Sequence, residues 1–254
     1  MKYAMKMAAV ACLALAAIAG CKKPAGQGQS ESKPTYVQID WNTAGTVSGT
    51  IHFSGKMPEP VQIDMAQDPA CNLGATNFTE QYVGKNGNLQ NVFVYVKDGL
   101  GNKLYPAPST PVVIDQKGCR YTPHVVGTMV GQSVSFTNSD PTMHNIHMLP
   151  AVPGNQTVDI SQPPNGGTEA RVFSQPELMM SVRCNNHPWM QAFINVVTNP
   201  FYAVSDADGH FEIRGLPPGT YTVIADHEVL GEQTATVTVG SKQTAAQDFT
   251  FAAK

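Results

Sequence analysis

The chain reads as an all-β protein. Past residue 38 its apolar residues come in short runs rich in Val, Ile, Thr and aromatics, each bounded by Gly, Pro, Asn or Asp. No segment beyond the first twenty residues keeps apolar side chains at helical spacing. Many short strands joined by Gly/Pro turns predict sandwiches or barrels rather than alternating helices and strands.

The opening residues, MKYAMKMAAVACLALAAIAGC, place two lysines before an apolar run and then small residues, the layout of a secretory signal. The run is short for a membrane span. Its end, Ile18-Ala19-Gly20-Cys21, resembles the lipobox of bacterial lipoproteins. That resemblance implies a signal peptide over residues 1–20, cleavage before Cys21, acylation of its thiol, and a location in the periplasm or at the cell surface. The alternative is a cleaved signal in which Cys21 is incidental, since one acyl chain alone holds weakly. Residues 21–38, dominated by Gln, Ser, Gly and Pro, read as a flexible tether.

The rest of the chain is long enough for two compact domains. Loss of the leader removes Lys2 and Lys6 and no acid, so the charge becomes 14 − 19 = −5. No cluster of Lys and Arg is present to neutralise phosphates, which argues against nucleic acid as a partner. Strands are expected at TVSGTIHFSG, NVFVYVK, PVVID, VVGTMVGQSVSFTN, LMMSVR, AFINVV, HFEIRGL, TYTVIA and TATVTV.

The densest chemistry lies in RCNNHPWMQ, where Cys184, His187 and Met190 fall within seven residues, with His144 about forty residues upstream in NSDPTMHNIH. A thiolate, two imidazoles and a weak thioether make the ligand set of a blue-copper site, which suits both oxidation states of the metal about equally. A Cys closing one strand and a Met opening the next leave a tight loop that can aim three side chains at one ion. Three alternatives stay open. His147 rivals His144 as a ligand, zinc rivals copper, and Met143, Met148, Met179 and Met180 are either a copper-collecting surface or core filler.

Residues 106–199 resemble a cupredoxin, in particular the amicyanin and plastocyanin branch. The resemblance rests on the strand into GQSVSFTNSD, the His144-Asn145 pair, and the short Cys-x-x-His-x-x-Met loop with Pro188 directly after the His. It implies a Greek-key sandwich holding one type 1 copper through His144, Cys184, His187 and Met190. It also implies that Asn145 offers its backbone N–H to the Cys184 sulfur, and that the electron leaves through an exposed His187 beside Trp189. Redox proteins are the implied partners.

With Cys12 lost with the leader, Cys184 taken by the metal and Cys21 by lipid, Cys71 and Cys119 remain; in an oxidising compartment they are expected to form a disulfide, a buried free pair being the alternative. Downstream, FYAVSDADGHFEIRGLPPGTYTVIADHE resembles the carboxypeptidase regulatory-like, or transthyretin-like, module. Four or five strands are too few for that Ig-like sandwich. GTVSGTIHFSG and NVFVYVK look like its missing front, so residues 39–105 and 200–252 are expected to form one discontinuous domain with the cupredoxin inserted. Three consecutive units are the alternative. No paired His-x-His strings or acid-base constellation announces an enzyme, and Asp226 and Glu228 are expected to be solvated. The expectation is an electron carrier, with a copper buffer or chaperone and a non-metal adhesion or glycan-binding module as the other readings.

Overall fold

A computed structural model describes residues 36–71 and 76–253. The expected leader, Cys21 and the tether as far as residue 35 lie outside the described residues. Among the described residues there is no helix. The first strands are β1 (Gly45–Ser54), β2 (Gly84–Lys85), β3 (Asn88–Leu89) and β4 (Phe93–Asp98). Then come β5 (Val112–Gln116), β6 (Tyr121–Thr122), β7 (Val125–Met129), β8 (Ser133–Asn138), β9 (His144–Met148), β10 (Val158–Gln162), β11 (Glu169–Val172), β12 (Glu177–Arg183) and β13 (Gln191–Val197). The chain ends with β14 (Tyr202–Val204), β15 (His210–Leu216), β16 (Gly219–His227), β17 (Gly231–Val239), β18 (Thr244–Ala246) and β19 (Phe249–Ala252).

These strands form four sheets, and no sheet mixes β5–β13 with the rest. One runs β15-β1-β3-β2, with β18 and β19 added along β1, and its partner runs β14-β4-β16-β17. The strands that precede residue 99 therefore pair with those that lie beyond residue 201. Alternation explains β1: Val47, Ile51 and Phe53 point inward to a core shared with Phe211, Ile213, Val223 and Phe251. At Gly49 the chain passes so close to Gln247 that a Cβ would lie 1.7 Å from its carbonyl oxygen, which only glycine permits.

The middle strands make the other two sheets, β10-β9-β12-β13-β7 and β11-β8-β5-β6. Ile114, Phe136, Ile146, Met148, Met180, Val182 and Ile194 fill the space between them. Met148 and Met180 are thus core residues at 0% and 3% exposure rather than part of a surface. Met143 is exposed and Met179 half-buried.

Two runs, β4 and β13, lack alternation because both of their faces are covered. In β4 every residue of Phe93–Val96 is buried, with Val94 and Val96 turned to one core. Phe93 and Tyr95 turn the other way and, with Ile224, pack on Val125, Phe193 and Val197 of β7 and β13. Side chains of this kind contribute about 1.5–3 kcal/mol each when fully buried, so this cluster holds one sandwich against the other. Gly127 permits the approach, since a Cβ there would sit 2.5 Å from the Tyr202 ring.

The described part of residues 55–83 carries almost no regular structure, yet it is anchored on the middle sandwich. Met65 and Cys71 belong to its core cluster. Cys71 is disulfide-bonded to Cys119, Asn77 Nδ2 donates to the carbonyl of Gly118 at 2.8 Å, and the Arg120 guanidinium donates to the carbonyl of Phe78.

Two acids expected to be solvated are covered. Asp226 is 7% exposed, and the Glu228 side chain is 5% exposed because it accepts a hydrogen bond of 2.6 Å from His124 Nε2. Glu228 reads as surface until His124, between β6 and β7, brings it a partner.

Candidate metal centre

β9 and β12 are antiparallel neighbours, with Arg183 opposite His147, so the start of one and the end of the other meet at the same edge of the sandwich. The loop leaving β12 closes at once. The Cys184 N–H donates to the carbonyl of Met190 at 3.3 Å, and the Met190 N–H to that of His187 at 2.9 Å. Period-two alternation along β9 turns His144, Ile146 and Met148 inward and His147 out. His147 instead sits half-exposed against Asn185 Oδ1 at 2.7 Å.

Three donor atoms come together from these elements. The Nδ1 atoms of His144 and His187 face each other at 2.9 Å, and Cys184 Sγ lies 3.5 Å from His187 Nδ1. His144, Cys184 and His187 are 0%, 4% and 3% exposed, and Met190, which ends the loop, is 1% exposed. The backbone N–H of Asn145 donates to Cys184 Sγ at 3.3 Å. Trp189 is half-buried, its ring centroid 5.2 Å from that of His187 and its Nε1 donating to the carbonyl of Cys119 at 3.1 Å.

Each imidazole is held from behind by a carboxylate. His144 Nε2 lies 2.8 Å from Asp140 Oδ2, and His187 Nε2 lies 3.0 Å from Asp68 Oδ2. Asp140 also accepts the N–H groups of Gly118 and Cys119, at 2.7 and 2.8 Å. Each carboxylate accepts from an Nε2, which leaves both Nδ1 atoms facing the centre. Two ring nitrogens facing each other over 2.9 Å need a proton or a cation between them.

The thiol meets the same requirement. Burial pushes Cys184 up, but hydrogen bonds from His144, His187 and the backbone N–H groups of Asn145 and Asn186 outweigh it and bring the thiol down to about 6. For His187, burial favours the neutral ring while the Cys184 sulfur and Asp68 favour the cation, and the balance lies above the usual imidazole value. One cysteine sulfur and two imidazole nitrogens within 4.8 Å of one another fit a metal ion, which would take the place of the protons between them. The sulfurs of Cys71 and Cys119 also approach His187, but as a disulfide they offer no thiolate.

One expectation needs correction. His187 is not an exposed exit for an electron: it is 3% exposed, and Asp68, from residues 55–83, takes its outer nitrogen. Sequence reasoning also missed Asp68 and Asp140. The Asp140-x-x-x-His144 spacing was visible but common, and nothing in the local sequence ties Asp68 to a residue more than a hundred positions away.

The carboxypeptidase regulatory-like domain family model matches residues 183–252. No curated protein matches the chain. Among solved structures, a copper(I) form of an amicyanin mutant is 20% identical over 34% of this chain and 81% of its own, with a TM-score of 0.31. An oxidised amicyanin mutant is 21% identical over the same shares, also at 0.31. A copper-containing nitrite reductase from Thermus scotoductus SA-01 is 23% identical over 41% of this chain and 25% of its own, at 0.32. The chain thus carries a segment that matches the carboxypeptidase regulatory-like domain model.

Proposed function

We propose that the β5–β13 sandwich binds one copper ion through Cys184, His144, His187 and Met190 and carries single electrons between redox proteins, on a chain lipid-anchored at Cys21 in the periplasm or at the cell surface. The observation that carries this reading is the convergence of His144 Nδ1, His187 Nδ1 and Cys184 Sγ, all buried, within 4.8 Å of one another. Copper held there would supply a one-electron change in a donor set that suits both of its oxidation states.

The chain's own residues do the rest. Asp140 and Asp68 fix the tautomer and direction of the two rings. The Asn145 N–H withdraws charge from the thiolate, and burial of Cys184, 4% exposed, keeps water from the sulfur. A thioether suits copper better than zinc, which favours four strong ligands. Absorption spectra of the copper-loaded protein test the reading. An intense visible thiolate-to-copper band is expected in the native chain and its loss in Cys184→Ser; a band that survives the substitution defeats the assignment.

A further inference from the structure

The carboxylate behind His187 does not belong to the sandwich that supplies the donors. Asp68 comes from the connection between β1 and β2, and the described part of that connection is pinned to the sandwich on both sides of it. Met65 packs into the sandwich core three residues before Asp68, and the Cys71–Cys119 bond lies three residues after. The carboxylate itself is fixed through both oxygens. Oδ1 accepts the Ala70 N–H at 2.8 Å, and Oδ2 accepts the Thr142 hydroxyl at 2.7 Å and His187 Nε2 at 3.0 Å. Asp140 backs His144 from within the sandwich. Asp68 reaches the His187 ring from the connection between β1 and β2, which packs against the sandwich from outside its strands.

We propose that Asp68 is a positioning residue through which the connection between β1 and β2 sets the electron affinity of the centre proposed above, on which this inference rests. It does so in two ways. Accepting the Nε2 proton commits His187 to the tautomer whose Nδ1 lone pair faces Cys184. Placing a full negative charge behind the ring, 3.0 Å from its Nε2 and on a side chain only partly exposed, favours the more positive oxidation state of a metal in front of it. The second effect separates Asp68 from a merely structural contact, because a neutral acceptor of the same shape would hold the ring and leave the metal's charge preference alone. The disulfide beside it keeps the carboxylate from swinging into solvent, where that charge would be screened.

Two full-length variants distinguish these effects. Asn at position 68 can still accept the Nε2 proton but carries no charge, while Ala can do neither. In Asp68→Asn the visible band should persist, while the preference for copper(II) over copper(I) falls at least about tenfold, an upward move of about 59 mV for a one-electron couple. In metal-free protein, nitrogen NMR of the His187 ring should show the proton on Nε2 in the native chain and in Asp68→Asn, and a mixture of tautomers in Asp68→Ala. A native-like potential in both variants, with the band intact, overturns this inference and leaves the copper reading standing. A native protein with no visible band defeats that reading and takes this inference with it.

Discussion

Replacing Cys71 and Cys119 together by Ala tests how far residues 55–83 hold the two sandwiches together. The bond joins positions 48 apart in sequence, one in the connection between β1 and β2 and the other in the turn between β5 and β6. Opening a loop of that length returns conformational entropy to the unfolded chain worth about 4 kcal/mol at 25 °C. Both sulfurs are buried, at 6% and 1% exposure. Alanine is therefore a better replacement than serine, whose buried hydroxyl would add a desolvation penalty of about 1–3 kcal/mol if left unpaired. Urea unfolding followed by far-ultraviolet circular dichroism should show a loss of about 4 kcal/mol. The slope against urea should steepen, because an unfolded chain without the cross-link exposes more surface. A midpoint and slope indistinguishable from those of the native chain would refute the claim that this bond constrains the fold.

The pH dependence of stability should show two buried groups at the end of β16. Burial, with Glu232 nearby, pushes Asp226 up to about 6, so its contribution is favourable while it is protonated and is lost as pH rises through about 6. Asp226→Asn should therefore stabilise the protein by about 3 kcal/mol above that pH, with no gain below pH about 4, as denaturant melts at pH 8 and pH 3.5 would show. Burial lowers His227 to about 4, and its Nδ1 accepts the N–H groups of Val229 and Leu230 at 3.2 and 3.3 Å. The same melts should show this stabilisation intact above the usual imidazole range and lost as pH falls through about 4.

The all-β class was legible because β1, β15 and β16 carry alternation and end on turn residues, signals that need no knowledge of partners. β4 and β13 were legible as strands from the continuous runs FVYV and AFINVV, but not which sheet would cover the second face of each. The polar strands β10 and β11 escaped because one face of each is open to solvent and little apolar patterning remains. In the candidate centre, the Cys184–Met190 spacing was a local signal. Residues 55–83 were opaque. Their contribution to the site is a disulfide, a few backbone contacts and one carboxylate, none of which needs a periodic pattern in sequence, and together they bury an imidazole expected at the surface.

The most direct test of the central claim tracks the visible band of the copper-loaded chain through a cycle of reduction and reoxidation in the presence of a copper(I) chelator. A carrier predicts one copper per chain, with a band that disappears on uptake of one electron and returns fully on reoxidation, the metal never leaving the protein. Transfer of copper to the chelator on reduction would contradict the account and make the site a store for the ion.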